Sequence, residues 1–250
     1  INLLYDGGGS HIVTVNSGAT VELNGYHNHF KTLNLNGGTV RGITSNDPGA
    51  RYANEYGTFD TLVTVGGTQM STITNAAGGT GVFSLAGAPF NVGDAVSGTD
   101  LMVDASLVGG GLTKNGAGTM ALNQANSYAG GSTVNGGILL ANNTTGSATG
   151  TGAVLVKTGA ILGGTGAVTG AVTVESGGTL APGASIESLG TGVLNLNSGS
   201  TLAAEINSSG TPSAHSVLVT GNVTVAGNLD VTDIAVSPVA LAAGTKLTLM

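Results

Sequence analysis

Few side chains in this sequence could carry chemistry: four histidines, thirteen Asp plus Glu, six Lys plus Arg and no cysteine. A serine hydrolase needs a nucleophile on a sharp elbow, a base and an orienting group. No GxSxG elbow occurs, and Ser185 sits in PGASIES, where a Pro-Gly turn accounts for it. Glu175, Glu187 and Glu205 could supply the carboxylate pair of a glycosidase, but their repeat-like placement equally suits acids that keep a surface soluble. His27 and His29 in GYHNHF share one side of an extended segment, with His11 about one coil away. Without Cys or a carboxylate at ligand spacing, surface or turn histidines are expected there. Asp94, Asp100 and Asp104 follow neither an EF-hand nor a GGxGxD nonapeptide, so they read as ordinary acidic loops. GGTGAVTG at 163–170 lacks the lysine of a phosphate loop and runs into another β-like segment rather than a helix, so its glycines read as corners. The expectation is a chain with no catalytic set, no cofactor and no metal, hence not an enzyme.

The elements that would position any site are short and β-rich. TMALN, STVN and ILL are cut by Gly, Asn and Ser clusters, and related pieces return as VLVKTGAILGG, VTVESGGTLAPG, LNLNSGSTLAAE and VTVAGNLDV. Alternation of Val or Leu with Thr or Asn turns apolar side chains to one face and hydroxyls or amides to the other. One such piece cannot bury its apolar side alone, so stacked β-rungs are expected, each covering the next. Leu139, Leu162, Leu180 and Leu202 each follow a Gly-containing turn at intervals of 23, 18 and 22 residues, near the length of one triangular β-helical coil. At about 20 residues per rung and roughly 4.8 Å per step, the chain predicts a rod of about 12 rungs and 55–60 Å. Like-facing Asn and Thr can form ladders along the axis, with the aligned positions left open. Phe83 and Phe90 could fill a wider rung.

The stretch 41–60, RGITSNDPGARYANEYGTFD, breaks the pattern with turn formers and no sustained apolar period. It reads as a lateral excursion, and Arg51, Tyr52 and Tyr56 are its candidate surface contacts. The chain thus divides into a less regular segment, 1–110, and a regular one, 111–250, within one continuous solenoid.

Composition sets the outer bounds. Forty-five glycines without a three-residue period exclude collagen, and recurring Val, Leu, Ile and Met argue for order. The formal charge is −7, with basic residues scattered at Lys31, Arg41, Arg51, Lys114, Lys157 and Lys246. That excludes a basic groove for nucleic acid or an anionic membrane surface. No apolar stretch reaches transmembrane length, and no signal peptide is present, so the fragment itself is not expected to insert in a membrane. The ends, INLLYD and KLTLM, read as cuts through a longer protein.

The segment 111–143 carries five pieces in fixed order: Leu112-Thr113-Lys114, Gly116-Ala117-Gly118-Thr119, Asn126-Ser127-Tyr128, Gly130-Gly131-Ser132-Thr133-Val134 and Asn135-Gly136-Gly137-Ile138-Leu139. Together they resemble the passenger-associated transport repeat of bacterial autotransporters. Met120 stands where that family usually has leucine, and Ala129 where it often has a hydroxyl residue. Leu180 to Ile186, LAPGASI, with the later LNLNSGSTLAAEIN and VLVTGNVTVAGNLDV, resembles the C-terminal part of such passengers.

The resemblance implies an all-β fold, a right-handed single-stranded parallel β-helix. It also implies export through the outer membrane by a separate barrel and display at the bacterial cell surface. Fold alone does not settle function. The leading expectation is a surface-displayed scaffold for adhesion or self-association through lateral faces and loops. Its partner would be a protein or glycan of a host surface, matrix or neighbouring cell, or a second copy. The alternatives are a passive stalk for a missing N-terminal domain and a polysaccharide-acting enzyme. Leu112, Val134, Leu139, Leu162, Leu180 and Leu202 are expected to build the stack, and Gly118, Gly131 and Gly137 to turn it.

Overall fold

The computed structural model describes residues 11–24, 28–43, 55–77, 79, 81–95, 98–183, 186–209, 213–236 and 238. They form a right-handed β-solenoid, an elongated rod in which almost all strand pairs are parallel. The chain visits three faces in a repeating order, here named C, A and B. In one coil, Val82–Leu85 lies on face C, Pro89–Val92 on face A and Leu101–Val103 on face B. The next coil repeats this with Ser106–Gly109, Leu112–Asn115 and Thr119–Leu122.

Strand alternation explains why these segments stack. On face A, Leu112, Lys114 and Val134 point inward while Thr113 and Thr133 point out, and the register pairs Thr113 with Thr133 and Lys114 with Val134. A coil has an apolar inner lining and no other means of burying it, so every coil needs neighbours above and below. On face B the lining is a column. Leu101 pairs with Met120, Met120 with Leu139, Leu139 with Leu162, Leu162 with Leu180 and Leu180 with Leu202. All six side chains are buried.

Faces A and B each carry ten strands along the axis, so the described residues make ten coils. At about 4.8 Å per step their stack is about 43 Å long. Coil length varies along it. In the first half the register joins Leu33 to Val63, Val63 to Phe90 and Phe90 to Lys114, which are steps of 30, 27 and 24 residues. From Leu112 to Leu194 the face A steps, through Ser132, Val154 and Val172, shorten to 20, 22, 18 and 22, and the last step, Leu194 to Val223, is 29.

The wider coils are filled by aromatic rings. Phe59 stacks on Phe30 at 5.9 Å and on Phe83 at 5.6 Å, and meets Phe90 edge-on at 5.5 Å. All four rings are fully buried. Two long strands, Asn28–Asn36 and Glu55–Val65, run around the corner from face C to face A and bring these rings together. Replacing Phe59 by Leu keeps an apolar group but removes the ring contacts. We expect Phe59→Leu to lower unfolding stability by about 1–2 kcal/mol in urea titrations, without changing circular dichroism of the native state.

Outward Asn and Thr form side-chain ladders along face A. Asn34 Nδ2 donates to Thr14 Oγ1 at 3.3 Å and Asn36 Nδ2 to Asn16 Oδ1 at 3.1 Å. Farther along, Asn135 Nδ2 donates to Asn115 Oδ1 at 2.7 Å, and Asn115 Nδ2 to Asn91 Oδ1 at 2.9 Å. In the last described coil, Val223, Val225 and Leu229 continue the inward columns of Leu194, Leu196 and Leu202. They are 42%, 55% and 54% exposed, because among the described residues they have a neighbouring coil on one side only.

Candidate functional site in the buried polar coil

The structure concentrates polar groups inside the coil built by Leu112–Asn115, Thr119–Leu122 and the residues that follow. Strand parity places Lys114 inward, between Phe90 of the previous coil and Val134 of the next. Its side chain is fully buried, and the ammonium bends to the corner, donating to Gly116 O at 3.0 Å and Gly136 O at 2.8 Å. Burial pulls its pKa down to about 8, against the opposing charge of Asp100. Asp100 is buried as well. Its Oδ1 accepts from Ala95 N and its Oδ2 from Thr119 N, each at 2.8 Å, so this acid fastens two corner segments instead of sitting in a solvated loop.

Face C of the same coil has no regular strand between Ser106–Gly109 and Ala167–Val168. Side chains take over part of the bonding there. The Asn126 amide accepts from Leu107 N at 2.6 Å in the preceding coil and donates to Ala148 O in the following one. Two residues on, Tyr128 is fully buried and shares a 2.7 Å hydrogen bond with Ser132 Oγ. Burial pushes the Tyr128 phenol well above its ordinary range, and the bond to Ser132 partly offsets this. Asn143 repeats the device, donating to Thr145 O and Gly146 O while accepting from Ala167 N at 2.9 Å. Each of these buried polar groups replaces a backbone partner that an irregular corner lacks.

The glycines at the corners act in two ways. Gly131 and Gly137 have φ of 80° and 61°, a region that residues with a Cβ rarely adopt. Gly118 serves by its small size: a Cβ there would lie 2.3 Å from Gly93 O and 2.8 Å from Asp100 Oδ2. Leu112, Val134 and Leu139 are buried on faces A and B, and Leu162, Leu180 and Leu202 continue the Leu139 column.

The other candidates disperse. Arg51 and Tyr52 lie outside the described residues; Tyr56 belongs to the backbone of Glu55–Val65, its side chain outside them too. Thr39–Ile43 and Glu55–Val65 take both ends of the stretch expected as an excursion, and 44–54 fall outside the described residues. His27 and Ser185 lie outside them as well. His29 Nδ1 contacts the Asp60 carboxylate at 3.0 Å. Among the described residues no three His, Cys, Asp or Glu side chains group as a metal site. Glu175 closes the face A strand Val172–Val174, whereas Glu187 and Glu205 accept backbone bonds, through their carbonyls, from the adjacent residues Ser216 and His215. Gly163 and Gly164 end the strand Ala160–Gly164, and the segment after them returns to strand.

Sequence reasoning missed Lys114, Asp100, Asn126 and Tyr128 as buried polar groups. A signal was present for Lys114: in Leu112-Thr113-Lys114 the period of two puts lysine on the same side as the buried leucine.

Residues 112–141 match the family model described as Passenger-associated-transport-repeat. No curated protein and no solved structure matches the chain. The matched segment covers the Lys114 corner, Asn126, Tyr128 and Ser132, which carry much of the polar interior of this coil, and the apolar Val134 and Leu139. The chain therefore carries a passenger-associated transport repeat within a β-solenoid, consistent with an autotransporter passenger domain.

Proposed function

We propose that this solenoid is displayed at the bacterial cell surface after export through the outer membrane, and that it mediates adhesion or self-association through its lateral faces. The single observation that carries the reading is the outward side of face A. Its exposed side presents Asn–Thr and Asn–Asn ladders at two places, Thr14–Asn34 with Asn16–Asn36, and Asn91–Asn115–Asn135. Ordered amides and hydroxyls at about 4.8 Å intervals offer repeated hydrogen-bond donors and acceptors to a protein or glycan surface. The passenger-type repeat supports the export route.

The test is to display the segment on cells that do not otherwise aggregate, and to place lysines at Thr113 and Thr173, which lie on non-adjacent coils, together. Outward positions tolerate such changes with little loss of stability. We expect aggregation or attachment to fall at least about tenfold, a loss of about 1.4 kcal/mol in effective contact energy, while the fold is kept. Attachment that survives deletion of the whole segment would sink the adhesive reading. Attachment that survives exchange for an unrelated rod of equal length would favour a stalk that spaces another domain.

A further inference from the structure

Beside the strand Thr201–Asn207 the chain makes a short antiparallel return, Ser213–Ala214, and the residue after it is His215. Its ring is 4% exposed. Glu205 N donates to Nδ1 at 3.2 Å, so in the neutral ring the proton resides on Nε2. That Nε2 is buried and has no hydrogen-bond partner. It lies 3.5 Å from the Glu205 carboxylate, an ion-pair distance, with no hydrogen bond between them. Both groups line a cleft of about 170 Å³ with Ala181, Pro182, Ala203 and Thr232.

An orphaned buried N–H beside a carboxylate, opening on one small cleft, calls for a specific occupant. We propose that this cleft is a binding site for a single sugar residue or a similar polyol. Once the half-exposed Glu205 side chain turns aside to uncover Nε2, one hydroxyl accepts from His215 Nε2–H and donates to Glu205 Oε2, and the Thr232 hydroxyl serves a second. Ala181, Pro182 and Ala203 supply an apolar wall for the C–H face of the ring. A cleft of about 170 Å³ has room for one ring. A metal is disfavoured, because the nitrogen that faces the cleft carries the proton and has no free lone pair. The proposal deepens the adhesive reading by naming a glycan terminus as ligand, yet it stands on this cleft alone.

The test is ¹⁵N-edited NMR of the histidine rings in the intact 250-residue chain, titrated separately with glucose, galactose, N-acetylglucosamine and Zn²⁺. We expect one or more sugars to shift the His215 ring signals saturably, with Kd on the order of 1–10 mM, and not those of His29. Glu205→Gln, at a half-exposed position, should keep the native spectrum and weaken binding at least about tenfold. No saturable shift with any sugar, a shift that survives Glu205→Gln unchanged, or a response to Zn²⁺ alone would overturn the proposal. Because the readout is local, it can fail while surface attachment persists, and attachment can fail while it succeeds.

Discussion

Replacing Tyr128 by alanine should lower the unfolding free energy by about 3–5 kcal/mol, the range for deleting a fully buried aromatic ring. Tyr128 is the largest fully buried side chain among the described residues, and its hydroxyl bonds Ser132 at the start of the next face A strand. Removal of the ring opens a cavity between face C, which lacks a regular strand here, and face A. Tyr128→Phe separates the two roles. It keeps the ring but leaves Ser132 Oγ without this partner inside the coil, which should cost about 1–2 kcal/mol. Urea denaturation followed by far-ultraviolet circular dichroism gives both values. If Tyr128→Phe were as damaging as Tyr128→Ala, the hydroxyl and not the packing would carry the coil.

Lys114→Ala is the second large loss. It removes a buried donor from two corner carbonyls, Gly116 O and Gly136 O, and takes the compensating charge away from Asp100. Loss of one member of such a buried set costs about 3–5 kcal/mol. Lys114→Met, which refills the volume, should recover part of that cost but not the two carbonyl bonds. The wild-type pH dependence carries the sign of the burial. The folded pKa of about 8 is below the ordinary lysine value of 10.5, so between these pH values the unfolded chain retains a proton that the folded chain has released. Stability therefore rises with pH across that window, by up to about 3 kcal/mol. Tyr128 acts in the opposite sense. Its phenol is held protonated in the fold, so above about pH 10, where an ordinary phenol ionises, the unfolded chain gains and stability falls. The two together place a stability maximum near pH 10 in the wild type. Lys114→Met should lose the rise from pH 8 while keeping the fall above pH 10, and urea midpoints at pH 7, 8, 9, 10 and 11 resolve both limbs.

The architecture was legible because inner residues in a solenoid repeat at coil length. Leu139, Leu162, Leu180 and Leu202 were spaced as a column, and the register joins each to the next. Coil length was less legible. Steps of 30 and 27 residues in the first half arise from two strands that turn a corner unbroken and from the Phe59 cluster, and no local pattern announces either. Ladder partners were hidden for the same reason: Asn91, Asn115 and Asn135 align only because their corners differ in length by the needed amounts. Lys114 and Asp100 look like solvated charges in one dimension. Their partners come from residues 2 to 22 positions away, and the corner that joins them exists only once the coils stack. His215 and Glu205 are ten residues apart on either side of a strand return, a proximity that spacing alone does not reveal.

Successive coils lie in parallel register, one step per turn. The chain contains no cysteine, so introduced pairs report register without background. Thr133 and Leu155 are outward register partners on adjacent face A strands, whereas Thr113 and Leu155 are two coils apart, each joined through Thr133. Neighbouring Cα atoms at about 4.8 Å lie within disulfide reach, and those two steps away, at about 9.6 Å, do not. The double variant Thr133→Cys/Leu155→Cys should cross-link on mild oxidation of the folded monomer, and Thr113→Cys/Leu155→Cys should stay reduced. Equal cross-linking of the two pairs, or cross-linking of the second alone, would contradict the stacked register on which the whole account rests.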